Sequence, residues 1–87
     1  MRRDPEYFQD QDVELVYIAK KLREALAAEK LLTSAGLDYL VETDQYFGGF
    51  IFQSVRVGAF FYVLPAVAEQ ARALLEADGL RTQKPPV

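Results

Sequence analysis

The chain has no cysteine and no histidine among its 87 residues. Without cysteine there is no disulfide framework, no zinc ribbon and no thiol nucleophile. Without histidine the usual general base, the commonest metal ligand and the ordinary pH switch are missing together. Any catalysis would fall to Asp, Glu, Lys, Tyr or a bound cofactor, and no motif for such chemistry stands in the sequence. The expectation is a domain that is not an enzyme and that needs no metal and no cofactor. Long apolar runs are absent too: none approaches the ~20 residues of a membrane-spanning helix. The opening Met-Arg-Arg-Asp-Pro lacks the apolar stretch of a signal peptide. A cytoplasmic location and no membrane partner are expected. Basic residues are outnumbered, 10 Lys+Arg against 13 Asp+Glu, for a net charge of −3, which disfavours nucleic acid as a partner.

What is present is globular in composition, 51% hydrophobic and 26% charged. The length suits one domain, which buries roughly 60–65% of its unfolded surface. Residues 1–12 are polar and acidic with Pro5 among them, and read as a flexible arm that Tyr7 and Phe8 are able to pin. Residues 13–83 form the single α+β domain, and residues 84–87, with two prolines, a tail.

Within the domain, residues 13–19 (Val-Glu-Leu-Val-Tyr-Ile-Ala) are apolar on both faces of a strand. Residues 21–35 switch to helical period, with Leu22, Ala25, Leu26, Glu29 and Leu32 in one stripe and Ala28 and Leu31 beside it. Gly36 supplies the left-handed residue that ends a helix, and Leu37 its apolar contact. No small polar residue caps the start, where Lys20 and Lys21 stand instead. Residues 38–44 alternate, with Tyr39, Val41 and Thr43 on one face and Leu40, Glu42 and Asp44 on the other. Residues 55–64 form a third strand, with a bulge expected at Gly58. Pro65 opens a second helix whose stripe is Val67, Ala71, Leu74 and Leu75, and Gly79 ends it. Residues 80–83 have room for a short edge strand. The order βαββα, with a possible closing β, is the ferredoxin-like arrangement: an antiparallel sheet with both helices on one face. The right-handed crossover rule puts the first and third strands side by side.

Two stretches carry a family resemblance. One is residues 14–19 (Glu-Leu-Val-Tyr-Ile-Ala), with the helix bearing Glu24-Ala25 and closing on residues 31–37 (Leu-Leu-Thr-Ser-Ala-Gly-Leu). The other is residues 61–65 (Phe-Tyr-Val-Leu-Pro) followed by residues 71–75 (Ala-Arg-Ala-Leu-Leu). Together, across roughly residues 14–79, they resemble a family of uncharacterised small bacterial domains described as prokaryotic signal-transducing proteins. The resemblance implies a fold similar to the nitrogen-regulatory PII proteins and a regulatory role. It brings no catalytic residue with it.

Three groups of residues are candidate sites. Tyr46, Phe47, Gly48, Gly49, Phe50 and Phe52 place four aromatics around a glycine pair, either a hairpin turn or a loop. In PII-like folds this connection contacts partners. Its aromatics suit a subunit interface or, equally, the sheet's own core. Apolar residues on both strand faces, in so short a chain, point to a homo-oligomer, dimer or trimer. Lys20, Lys21 and Arg23, at a helix start, offer a place for an anion or nucleotide, without a glycine-rich loop to cradle phosphate. Glu42 and Asp44, with Asp38, gather carboxylates along one strand. They lack the third ligand or raised pKa that metal or acid–base chemistry requires.

Overall fold

The computed structural model describes residues 1–9, 11–48 and 54–84. Pro5–Phe8 form a single helical turn (α1), Glu14–Ala19 strand β1, Leu22–Ser34 helix α2, Leu40–Gly48 strand β2, Ser54–Val63 strand β3 and Ala68–Ala77 helix α3. A 3-10 turn over Pro65–Val67 precedes α3. The sheet is antiparallel in the order β1-β3-β2. First and third strands are therefore adjacent, as the crossover rule required. The fold is α+β and compatible with the ferredoxin-like arrangement.

Both longer helices end as their glycines foretold. Gly36 and Gly79 have φ of 74° and 86°. The amide of Leu37 bonds back to Leu32 O, and that of Leu80 to Leu75 O. Each is the six-to-one closure of a glycine C-cap, and the apolar residue that follows turns back onto the core. Leu37 is buried and Leu80 packs against the core.

The core lies between the sheet and α2 and α3, around Phe61 on the central strand. Its ring stands 5.9 Å from those of both Tyr17 and Tyr39. The expected stripe of α2 is rotated. Ala28 and Leu32 are buried and Ala25 and Leu31 flank them, while Leu22 and Leu26 are 76% and 56% exposed. At about 100° per residue, Leu22 and Leu26 lie roughly 100–140° around the helix from the midpoint of Ala28 and Leu32. The small side chains of Ala25 and Ala28 let that side of the helix approach the sheet.

The expectation at Gly58 is corrected, and the N-terminal arm takes the pinned form that Tyr7 and Phe8 allow. Strands β2 and β3 pair without interruption from Leu40–Tyr62 to Gly48–Ser54, so Gly58 forms no bulge. The irregularity lies in β1, between Leu15 and Tyr17, leaving Val16 as the extra residue. The flexible arm is docked: Arg2 bridges Tyr39 in parallel, the Tyr39 amide bonds Met1 O at 3.1 Å, and the Arg3 amide bonds Tyr39 O at 2.8 Å. Phe8 is buried. The Arg3 Nε donates to Asp38 Oδ1 at 2.9 Å and the Tyr7 hydroxyl to Asp38 Oδ2 at 3.0 Å.

Residues 80–84 are not a strand. They run beside β1 on one backbone bond, Gln83 N to Val16 O at 2.8 Å. Arg72 supplies what the missing ladder does not. Its guanidinium donates to Gln83 O at 2.5 Å and to Leu15 O at 3.0 Å, and meets Glu14 Oε2 at 2.6 Å. Arg72 is only 7% exposed, and such a charge is tolerable inside because every side of it is answered. Replacing Arg72 with Leu strands the Glu14 carboxylate and two carbonyls. The expected cost is about 3 kcal/mol, against a change within about 0.5 kcal/mol for Leu26→Ser on the exposed face. Urea denaturation of the two variants measures the contrast, and equal midpoints would refute the role given to Arg72.

Candidate functional site

The distinctive feature is an overhang. Strand β1 ends at the Ala19–Ala59 pair, but β2 and β3 continue for the five pairs from Asp44–Gly58 to Gly48–Ser54. At about 3.4 Å per residue this ribbon reaches about 17 Å beyond β1. Over residues 54–58 the side of β3 that faced β1 has no strand beside it among the described residues. Strand parity sends Val57 to the helix side and Arg56 to the other. Val57 is 61% exposed. At the root of the ribbon, a concavity of about 190 Å³ is lined by Ala19, Lys21, Leu22, Ala25, Val57 and Gly58. Two of the five exposed large hydrophobics among the described residues, Leu22 and Val57, thus meet at one place, with Leu26 one turn along α2.

The aromatic segment divides between what is described and what is not. Tyr46, Phe47 and Gly48 belong to β2, opposite Arg56, Val55 and Ser54. These three residues are paired strand. Gly49, Phe50 and Phe52 lie outside the described residues.

Lys20, Lys21 and Arg23 are exposed at the start of α2. Lys21 is the N-cap and makes no side-chain cap. Glu24 reaches back instead, accepting from the Lys20 amide at 3.1 Å, so a carboxylate already lies at the positive end of the helix. A larger concavity of about 540 Å³ opens beside it, lined by Tyr17, Lys20, Glu24, Arg81 and Thr82 among others. It mixes both signs of charge.

The acidic residues are not brought together. Glu42 and Asp44 are exposed on β2, while Asp38 is engaged by Arg3 and Tyr7. Among the described residues no group of three or more acidic side chains is arranged to hold a metal. Tyr17, Tyr39 and Tyr62 have their pKa values raised, in each case first by burial and then by nearby carboxylates, Glu24 beside Tyr17, Glu29 beside Tyr39, and Glu42 and Asp44 beside Tyr62. All three stay protonated at neutral pH. Tyr39 is tied down further, its hydroxyl 3.1 Å from Thr33 Oγ1 and 3.3 Å from Glu29 Oε1.

Sequence reasoning missed the overhang, because only pairing shows where β1 stops. It also missed Arg72, although a charged residue at helical spacing from apolar Ala68 and Leu75 was a signal in the sequence; both of those are buried. The chain matches no family model, no curated protein and no solved structure. No helix among the described residues is long and apolar enough to cross a membrane.

Asp38 gives the docked N-terminal segment a pH signature. The hydrogen bond from Arg3, helped by Tyr7, holds its carboxyl below the ordinary carboxylate range. A depressed folded pKa stabilises the docked N-terminal segment above the unfolded value near ~3.9, and this is lost as pH falls through the folded value. Protection factors for the Arg3 and Tyr39 amides should hold from pH 7 to 5 and fall below about pH 4. In Asp38→Asn they should be lower and flat. Hydrogen exchange followed by NMR reads this, and protection that survives acid in the unaltered chain would sink the pairing.

Proposed function

We propose that this chain is a non-enzymatic binding domain with a regulatory role, which associates with itself through its sheet. The observation that supports this is the five-pair overhang of β2 and β3, with exposed Val57 and Leu22 at its root. A strand edge without a neighbour is a template for another strand, and exposed apolar side chains beside it favour an occupant. The resemblance to the PII-like, signal-transducing bacterial domains agrees in kind: in such folds the same connection meets partners. Sedimentation velocity tests the reading, which expects species heavier than 9.9 kDa at micromolar concentration. A strict monomer would sink it.

A second reading, a sensor of a small anion or nucleotide near Lys20, Lys21 and Arg23, draws support from the 540 Å³ concavity with Lys20 and Arg81 in its lining. The carboxylate of Glu24 in the same lining weighs against it. A thermal-shift series over nucleotides and phosphorylated metabolites separates the two readings. A true ligand at 100 times its Kd adds about 2.7 kcal/mol, and uniformly unchanged melting would count against the sensor.

A further inference from the structure

We infer that the self-association is head-to-tail, with the acidic outer edge of β2 from one copy adding to the free edge of β3, at residues 56–58, on the next. This rests on the reading of a self-associating domain and names the two surfaces that meet. The receiving edge combines three properties. Its main chain has no strand beside it among the described residues beyond the Ala19–Ala59 pair. Its helix-side floor is apolar, with Leu22 and Val57 76% and 61% exposed around the 190 Å³ concavity. It is flanked by cations on both faces: Lys20 and Lys21 line that concavity on the helix side, and exposed Arg56, next to Val57 in the strand, projects from the opposite face. Such a basic flank in a chain of net charge −3 is a local feature, and it selects an acidic strand.

The outer edge of β2 has that chemistry. Among the described residues the N-terminal segment pairs with this edge at Tyr39, before β2 begins. From Leu40 onward no strand lies on that side among the described residues. Glu42 and Asp44 are exposed and, two apart, project from the same face of the sheet as Arg56, while Val41 and Thr43 project to the side of Val57. Continuing the sheet from one copy to the next keeps these faces in line. It sets two carboxylates beside Arg56 and sets Val41 and Thr43 over the apolar floor. The antiparallel direction is kept as well, because β2 already runs antiparallel to β3. Pairing β2 with β2 of a second copy instead brings carboxylates against carboxylates, which is unfavourable. Unlike surfaces that meet in this way build a closed ring or a growing filament.

The test uses two charge-reversed chains, Glu42→Lys with Asp44→Lys, and Lys21→Glu with Arg56→Glu. All four side chains are exposed, so both variants should fold, which circular dichroism checks. In sedimentation velocity at low salt each alone should associate at least about tenfold more weakly than the unaltered chain. An equal mixture should regain association, because each reversed surface then meets its complement. Association of the unaltered chain should weaken as salt rises. If either variant assembles as the unaltered chain does, or the mixture stays monomeric, the head-to-tail pairing is overturned while self-association stands. A strictly monomeric unaltered chain overturns both.

Discussion

The open side of the sheet hangs on the guanidinium of Arg72. A ferredoxin-like domain with a full fourth strand closes that side by a ladder of main-chain hydrogen bonds. In this chain residues 80–84 lie beside β1 on a single backbone bond, and Arg72 joins them to β1 by reaching both Leu15 O and Gln83 O from helix α3. One side chain thereby links helix, strand and C-terminal segment. The cost is a buried charge, answered by Glu14 at 2.6 Å. Such an arrangement adds less net stability than its distances suggest, since both ions have left water. It is directional, however: a fork of donors accepts one spacing of carbonyls and few others. The bulge at Val16 sits at this junction, between Leu15, whose carbonyl Arg72 holds, and Tyr17 in the core.

Much of the fold was legible because its signals are local. Glycine followed by leucine marks both helix ends, and the left-handed glycine and the returning apolar residue follow from that pair alone. The periods of the strands and helices are equally local, and so element order was plain. What could not be read depends on pairing across distance. The rotation of α2 that leaves Leu22 and Leu26 outside is set by how closely Ala25 and Ala28 approach the sheet. The end of β1 at Ala19 is visible only against its partner Ala59. The docking of residues 1–9 turns on Arg3 finding Asp38, 35 residues away.

The same contrast reshapes the view of the candidate site. Apolar residues on both strand faces suggested a naked second face. Yet Leu40 is buried and Leu15, Ile18, Phe60 and Tyr62 are each partly covered. Among the described residues, exposed large apolar side chains lie instead on α2 and at the root of the ribbon, at Leu22, Leu26 and Val57, with Met1 and Tyr7 in the N-terminal segment. The cations at the start of α2, considered alone as an anion site, stand beside this surface. Their setting changes with that company: they flank an apolar floor beside an open strand edge, the arrangement on which the proposed strand addition rests.

The overhanging ribbon also has a mechanical side. Strand β3 runs unbroken from Ser54 at the ribbon's far end through Phe61 at the centre of the core to Val63, and so to α3. Hydrogen bonds to β1 on one side and β2 on the other lie across its length. A pull along the ribbon therefore loads those bonds together, in shear, rather than peeling them one at a time. The protruding ribbon is a lever whose fulcrum is the fully buried ring of Phe61.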